Sequence, residues 1–243
     1  LRGNGLDRDL EEAAMATAQH AALDGSRVSF TAEADLSTPM TAFGFVRPRG
    51  WRRSQPLNVF PAGKSERVLA ALPEAHPEIE YTLLGEVETK GGVLRKARVR
   101  RPVVTGGHRE FIYGVWEGSV ASITTSVRGD ESDMEDLFER LRFREIATGV
   151  AVESPVDETI RPLRCLKEVG ATLLEVRPLS RQVTRTLPRQ PGHRVENGEV
   201  FRRTEASRDV LLVTPTAAVY ASPLGRTDEH VELAASISVT WGE

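Results

Sequence analysis

Four consecutive stretches decide the fold: YTLLGEVET (81–89), VLRKARVRRPVV (93–104), REFIYGVW (109–116) and SVASITTSV (119–127). Each is rich in β-branched and aromatic residues. Each is cut off by a glycine-bearing turn: Lys90-Gly91-Gly92, Thr105-Gly106-Gly107-His108 and Glu117-Gly118. Such runs, so punctuated, read as an antiparallel meander. In 119–127, Ala121, Ile123, Thr125 and Val127 alternate with Val120, Ser122, Thr124 and Ser126, the pattern of a sheet with one buried face. In 93–101, Val93, Ala97 and Val99 share one face, which turns Lys96, Arg98 and Arg100 onto an outward, basic one. A helix from about Ser132 to Leu141 closes the unit. Ser132 and Glu135 have capping-box spacing, and Met134, Leu137, Phe138 and Leu141 form a stripe that should lie across the buried face.

Upstream of the meander, the alanine-rich stretch from Asp7 to Leu23 predicts a helix. Short strands are expected at Arg27–Ala34, Ala42–Arg47 and Leu57–Phe60, and a short helix over Ser65–Leu72. Pro48-Arg49-Gly50 makes a turn that ends in Trp51. Downstream, Glu153–Asp157 reads as a junction. Asn197-Gly198, between Val195 and Val200, is a strong hairpin signal. Val210–Tyr220 and Val231–Trp241 read as closing strands. The expected class is α+β. An antiparallel meander packed by helices, in the manner of an α/β/α sandwich, occupies 1–148. A β-rich part follows over 149–243, as a second domain or an extension of the same sheet. There is no regular repeat, although two β-rich halves leave room for a diverged duplication.

Three segments carry a family likeness: Arg49-Gly50-Trp51-Arg52-Arg53, Gly114-Val115-Trp116-Glu117-Gly118-Ser119, and the run from Met134 to Phe143. With the order helix, strand, Gly-Trp turn, meander, helix, residues 1–145 resemble the Mog1/PsbP-like α/β/α sandwich family. That family includes actinobacterial lipoproteins and effector-chaperone proteins of bacterial secretion systems. The resemblance implies a non-catalytic binding or chaperone role. The chain departs from the pattern in its short, irregular first strands and in all that follows residue 145.

Charge and composition exclude several functions. The net charge is −3 and the pI about 6.1, which gives no general attraction to nucleic acid or anionic membrane. Only Lys64, Lys90, Lys96 and Lys167 are lysines, so arginine supplies the rest of the 32 basic residues. Codon usage in a high-GC genome accounts for such a bias, and guanidinium forks also suit carboxylates and phosphates. Cys165 is the single cysteine, which rules out an intrachain disulfide and a cysteine-built zinc site. His20, His76, His108, His193 and His230 show no helical zinc spacing. The glycine pairs join strand to strand, whereas phosphate loops join strand to helix. The acidic run 130–136 lacks the glycine and closing glutamate of a calcium loop. No cofactor is called for. No stretch of apolar residues is long enough to cross a membrane as a helix. Nothing resembles a signal peptide, which favours the cytoplasm, while a start at Leu1 leaves a removed leader open.

Two basic, tryptophan-bearing segments remain as candidate partner-binding residues: Arg49, Trp51, Arg52 and Arg53 in one, Lys96, Arg98, Arg100 and Trp116 in the other. They point to a non-catalytic protein-binding module, with a protein partner expected, nucleic acid disfavoured and homo-oligomers open. The alternatives are a subunit of a larger phage- or secretion-type assembly, and an enzyme whose site is assembled from scattered residues such as His108, Glu110 and Asp209.

Overall fold

The computed structural model describes residues 14–63, 78–119, 121–146, 149–154, 159–204 and 207–242. The first half runs β1 (Ala16–Ala21), β2 (Arg27–Ala32), β3 (Met40–Arg47), β4 (Gln55–Pro61), β5 (Glu80–Thr89), β6 (Gly92–Pro102), β7 (His108–Glu117), β8 (Ala121–Val127), α1 (Glu131–Arg140) and β9 (Arg142–Ile146). The second half runs β10 (Gly149–Glu153), β11 (Thr159–Val169), β12 (Thr172–Pro178), α2 (Arg181–Thr184), β13 (His193–Val195), β14 (Gly198–Thr204), β15 (Ser207–Val213), β16 (Ala217–Pro223), α3 (Glu229–Ser236) and β17 (Ser238–Gly242).

One twelve-stranded antiparallel sheet carries both halves, in the order β13-β14-β15-β16-β12-β11-β3-β4-β8-β7-β6-β5. Read outward from the central β11–β3 seam, each half has the same order. From β3 it is β4, β8, β7, β6, β5, and from β11 it is β12, β16, β15, β14, β13. Each half then adds a helix and a closing strand. Those closing strands are exchanged: β9 pairs with β10, the opening strand of the second half, and β17 pairs with β2 of the first. The topology is therefore that of a duplicated unit with reciprocal strand exchange.

The core follows from the register. Residues directly opposite share a face, and one row crosses the seam as Leu94, Trp116, Ile123, Val59, Ala42, Cys165, Val176, Val219 and Leu212. Every member is buried. Helix α1 covers this face. Met134 packs so closely on Gly114 that a Cβ there would sit 2.6 Å from its Sδ.

The class is mostly β, which corrects the α+β sandwich expected from sequence. Among the described residues there are only three short helices, none of which forms a layer against the whole sheet. Residues 16–21 are strand, where helix was expected from Asp7 to Leu23. Their exposure alternates, and all six pair with β2. Alanine content favours helix only weakly, and edge-to-edge pairing overrides it. The rest of that expected helix, and the one over Ser65–Leu72, lie outside the described residues. Glu229–Ser236 is helical where a strand was expected, and only Ser238–Gly242 is strand, paired with β2 in a separate three-stranded sheet with β1. The α1 cap lies two residues upstream of the expected one. Asp130 accepts from the Asp133 amide, and its own amide donates to the Asp133 carboxylate.

The seam is sensitive to a single methyl group. Gly44 on β3 stands opposite Pro162, where β11 bulges. A Cβ there would collide with the Arg161 carbonyl oxygen and lie 2.6 Å from Leu23 Cδ2. Backbone cannot yield as a flexible side chain can, so Gly44→Val should cost about 3 kcal/mol or more. Chemical denaturation, with the midpoint compared at unchanged slope, reads this directly.

Beside the seam, the buried Lys167 ammonium donates to the carbonyls of Leu36 (2.9 Å) and Thr38 and contacts His20 Nε2 at 3.1 Å. An ammonium only donates, so that nitrogen must be an unprotonated acceptor. Burial first, and then the Lys167 charge, lower the His20 pKa to about 4 from 6.5. The unfolded chain therefore binds the extra proton first as pH falls. The stability that neutral His20 contributes is complete above pH 6.5 and drains away as pH drops toward 4. With solvent still reaching the half-buried ring, on the order of 1–2 kcal/mol should be lost across that window. Urea melts at pH 7, 5 and 4 should show the loss, and His20→Gln should flatten it.

Candidate functional site: an arginine-lined cleft at the end of the sheet

Strands β3 and β4 are joined by residues 48–54, whereas their counterparts β11 and β12 are joined by Gly170-Ala171 alone. The longer loop is held in place. The Trp51 amide donates to the Pro48 carbonyl (3.0 Å), and Gly50 takes a φ of +85° that a side chain would resist. Buried Gln55 donates from Nε2 to the Arg53 carbonyl (3.2 Å). The Thr125 hydroxyl donates to the Pro56 carbonyl (2.6 Å), tying the start of β4 to β8.

Beneath this loop is a cavity of about 770 Å³, lined by Trp51, Arg52, Arg53, Pro56, Phe111 and Arg128 among others. Phe111 is half-buried, and the Arg128 guanidinium lies over its ring, 5.5 Å from the centroid. Arg101 and Arg109 are directly opposite one another on β6 and β7, on the same face as Phe111 and one pair further along. Like charges so placed repel. Loss of solvent first, and then the charges of Arg109 and Arg53, hold the Arg128 guanidinium below its ordinary value. Among the described residues, none of Arg52, Arg53, Arg101, Arg109 and Arg128 forms a salt bridge. Other arginines do: Arg95 with Glu86, Arg144 with Glu153, Arg164 with Glu175 and Arg208 with Asp228.

The first basic segment expected from sequence thus contributes Trp51, Arg52 and Arg53 to one cleft, with Arg49 exposed at the tip of the loop outside its lining. The second segment is placed differently. Lys96 was expected on an outward basic face, but it is 5% exposed and bridges to Glu131 (3.3 Å) and Glu135 of α1. Its side of β6 is the one the helix covers, together with Leu94. Arg98 meets Glu110 (3.4 Å) and Glu131 (3.8 Å), and Arg100 meets Glu80 (3.4 Å). That charge is already neutralised. Trp116 is 1% exposed, and its Nε1–H donates to Thr89 Oγ1 at 2.9 Å. It belongs to the core and cannot touch a partner.

Phe111, Arg109 and Arg128 join the site without having been among the expected residues, and Arg101 joins it from the end of the second basic segment. Arg101 and Arg109 flank the Thr105–His108 turn, and their facing register was the available signal. The approach of Arg128 to Trp51 and Arg53 follows from β8 lying beside β4, which no local pattern records.

Other chemistry does not assemble. Burial, and then the Asp24 charge, push the Cys165 thiol far above its usual range, as suits a structural residue. His108 is exposed, Glu110 is paired with Arg98, and Asp209 is on β15 in the other half, so the three share no site. Among the described residues no group of three or more His, Cys, Asp or Glu is arranged to hold a metal ion, and no helix is long and apolar enough to cross a membrane. No known family model, curated protein or solved structure matches this chain.

Proposed function

We propose that this chain is a non-catalytic binding module that holds a protein partner in the cleft beneath residues 48–54. One observation carries the reading: Arg52, Arg53 and Arg128 line a cavity floored by Phe111, Arg101 and Arg109 lie beyond it on β6 and β7, and none of the five forms a salt bridge among the described residues, the Asp133 carboxylate in the lining being engaged by the Asp130 amide in the α1 cap. An unanswered cluster of like charge costs the free protein and is repaid by an external anion. The loop that builds the cleft is the part that one half has and its topological twin lacks. The test is affinity capture from the native lysate by the wild type and by Arg53→Glu/Arg128→Glu, with matched circular dichroism. A partner retained by the first and lost by the second is expected. Equal capture by both overturns the reading.

A further inference from the structure

The chemistry of the cleft narrows the partner, given the reading that the cleft is the binding site. We infer that its occupant is a short, extended, carboxylate-rich segment of a protein, gripped by Arg53 and Arg128, with Arg101 and Arg109 beyond them along β6 and β7. Guanidinium forks take carboxylates in paired hydrogen bonds, and several forks spaced along strand ends suit several carboxylates on an extended chain. Phe111 lies between the two pairs, and Phe45, 39% exposed and opposite Pro56 on the same face, extends the apolar surface to the other side of β4.

The alternatives fit less well. A lone phosphate is best held by free backbone amides. Here α1 spends its first turn on its own cap, where Asp130 accepts from the Asp133 amide at 3.2 Å, and the Trp51 amide is spent on Pro48. A nucleic-acid strand needs open aromatic faces on which bases stack. One face of Phe111 is covered by Arg128, and Trp51 is packed against the core.

The experiment is a fluorescence-anisotropy titration of the full chain at low salt, with a labelled Glu-Ala repeat peptide and an oligothymidylate of equal formal charge. Inorganic phosphate serves as competitor. The peptide should bind about tenfold or more tighter than the oligonucleotide, weaken as salt rises, and lose about 30-fold or more in Arg53→Glu/Arg128→Glu. Tighter binding of the oligonucleotide, or displacement of the peptide by phosphate at equal concentration, overturns the inference and leaves the cleft as the site. Undiminished peptide binding by the double variant removes the cleft itself. If the peptide does not bind the wild type at up to about 1 mM, the acidic-segment inference falls, and the capture comparison decides separately whether the cleft binds a partner.

Discussion

Trp116→Ala will cost the fold about 3–5 kcal/mol, the range for deleting a fully enclosed aromatic side chain. The indole stands between Leu94 and Ile123 in the row that crosses the seam. Its ring centroid is 4.6 Å from that of Phe143, which lies 5.6 Å from Phe138 of α1, so the three rings join the sheet to the helix and to β9. Gly92 has no side chain where a Cβ would lie 2.7 Å from Trp116 Cε2. The neighbourhood is thus shaped around the indole and cannot collapse into its place. Trp116→Phe keeps most of the burial but removes the donor to Thr89 Oγ1, and should cost about 1–2 kcal/mol. Urea denaturation gives both values from midpoint and slope. A loss under about 1 kcal/mol for the alanine variant would mean that the indole is not enclosed, and would return it to the candidates for partner contact.

The same tryptophan shows how far the sequence could be read. The four meander strands and the helix after them lie within a residue or two of their expected bounds, because alternation and glycine turns are local signals. The hairpin near Asn197 is present too, although Val195 pairs with Gly198, so its turn residues are Glu196 and Asn197. Strand order is not local. Lys96 and Trp116 look solvent-facing in a strand with one free face, yet β6 and β7 are covered by α1 on the side where both point. The β3–β11 seam and the exchange of β9 and β17 between halves leave no periodic trace, since the halves share topology and not sequence. The Trp51–Arg53 loop was legible as a site because it clusters arginines beside a tryptophan in a turn, although Trp51 also packs against the core. Its partners across the cleft, Phe111 and Arg128, are far along the chain, and only the sheet order brings them in.

Arg53→Glu/Arg128→Glu should weaken partner binding by about 30-fold to 1,000-fold and leave the free protein no less stable. The two effects have one cause. Arg128 lies among Arg109 and Arg53, whose charges already depress its proton affinity, and Arg101 faces Arg109 across the β6–β7 pair. Reversing two of these charges relieves repulsion in the free state while presenting like charge to an anionic ligand, where such juxtaposition costs several kcal/mol of binding. Arg98→Glu should show the opposite pattern. Arg98 sits between Glu110 and Glu131. Its reversal breaks two half-exposed pairs, each worth about 0.2–1 kcal/mol, and should lower the melting temperature by a few degrees at unchanged affinity. Thermal melts paired with the peptide titration therefore separate a site from a scaffold. If both variants lost stability and affinity together, the cleft arginines would be structural, and the unanswered charge that marks this site would have another explanation.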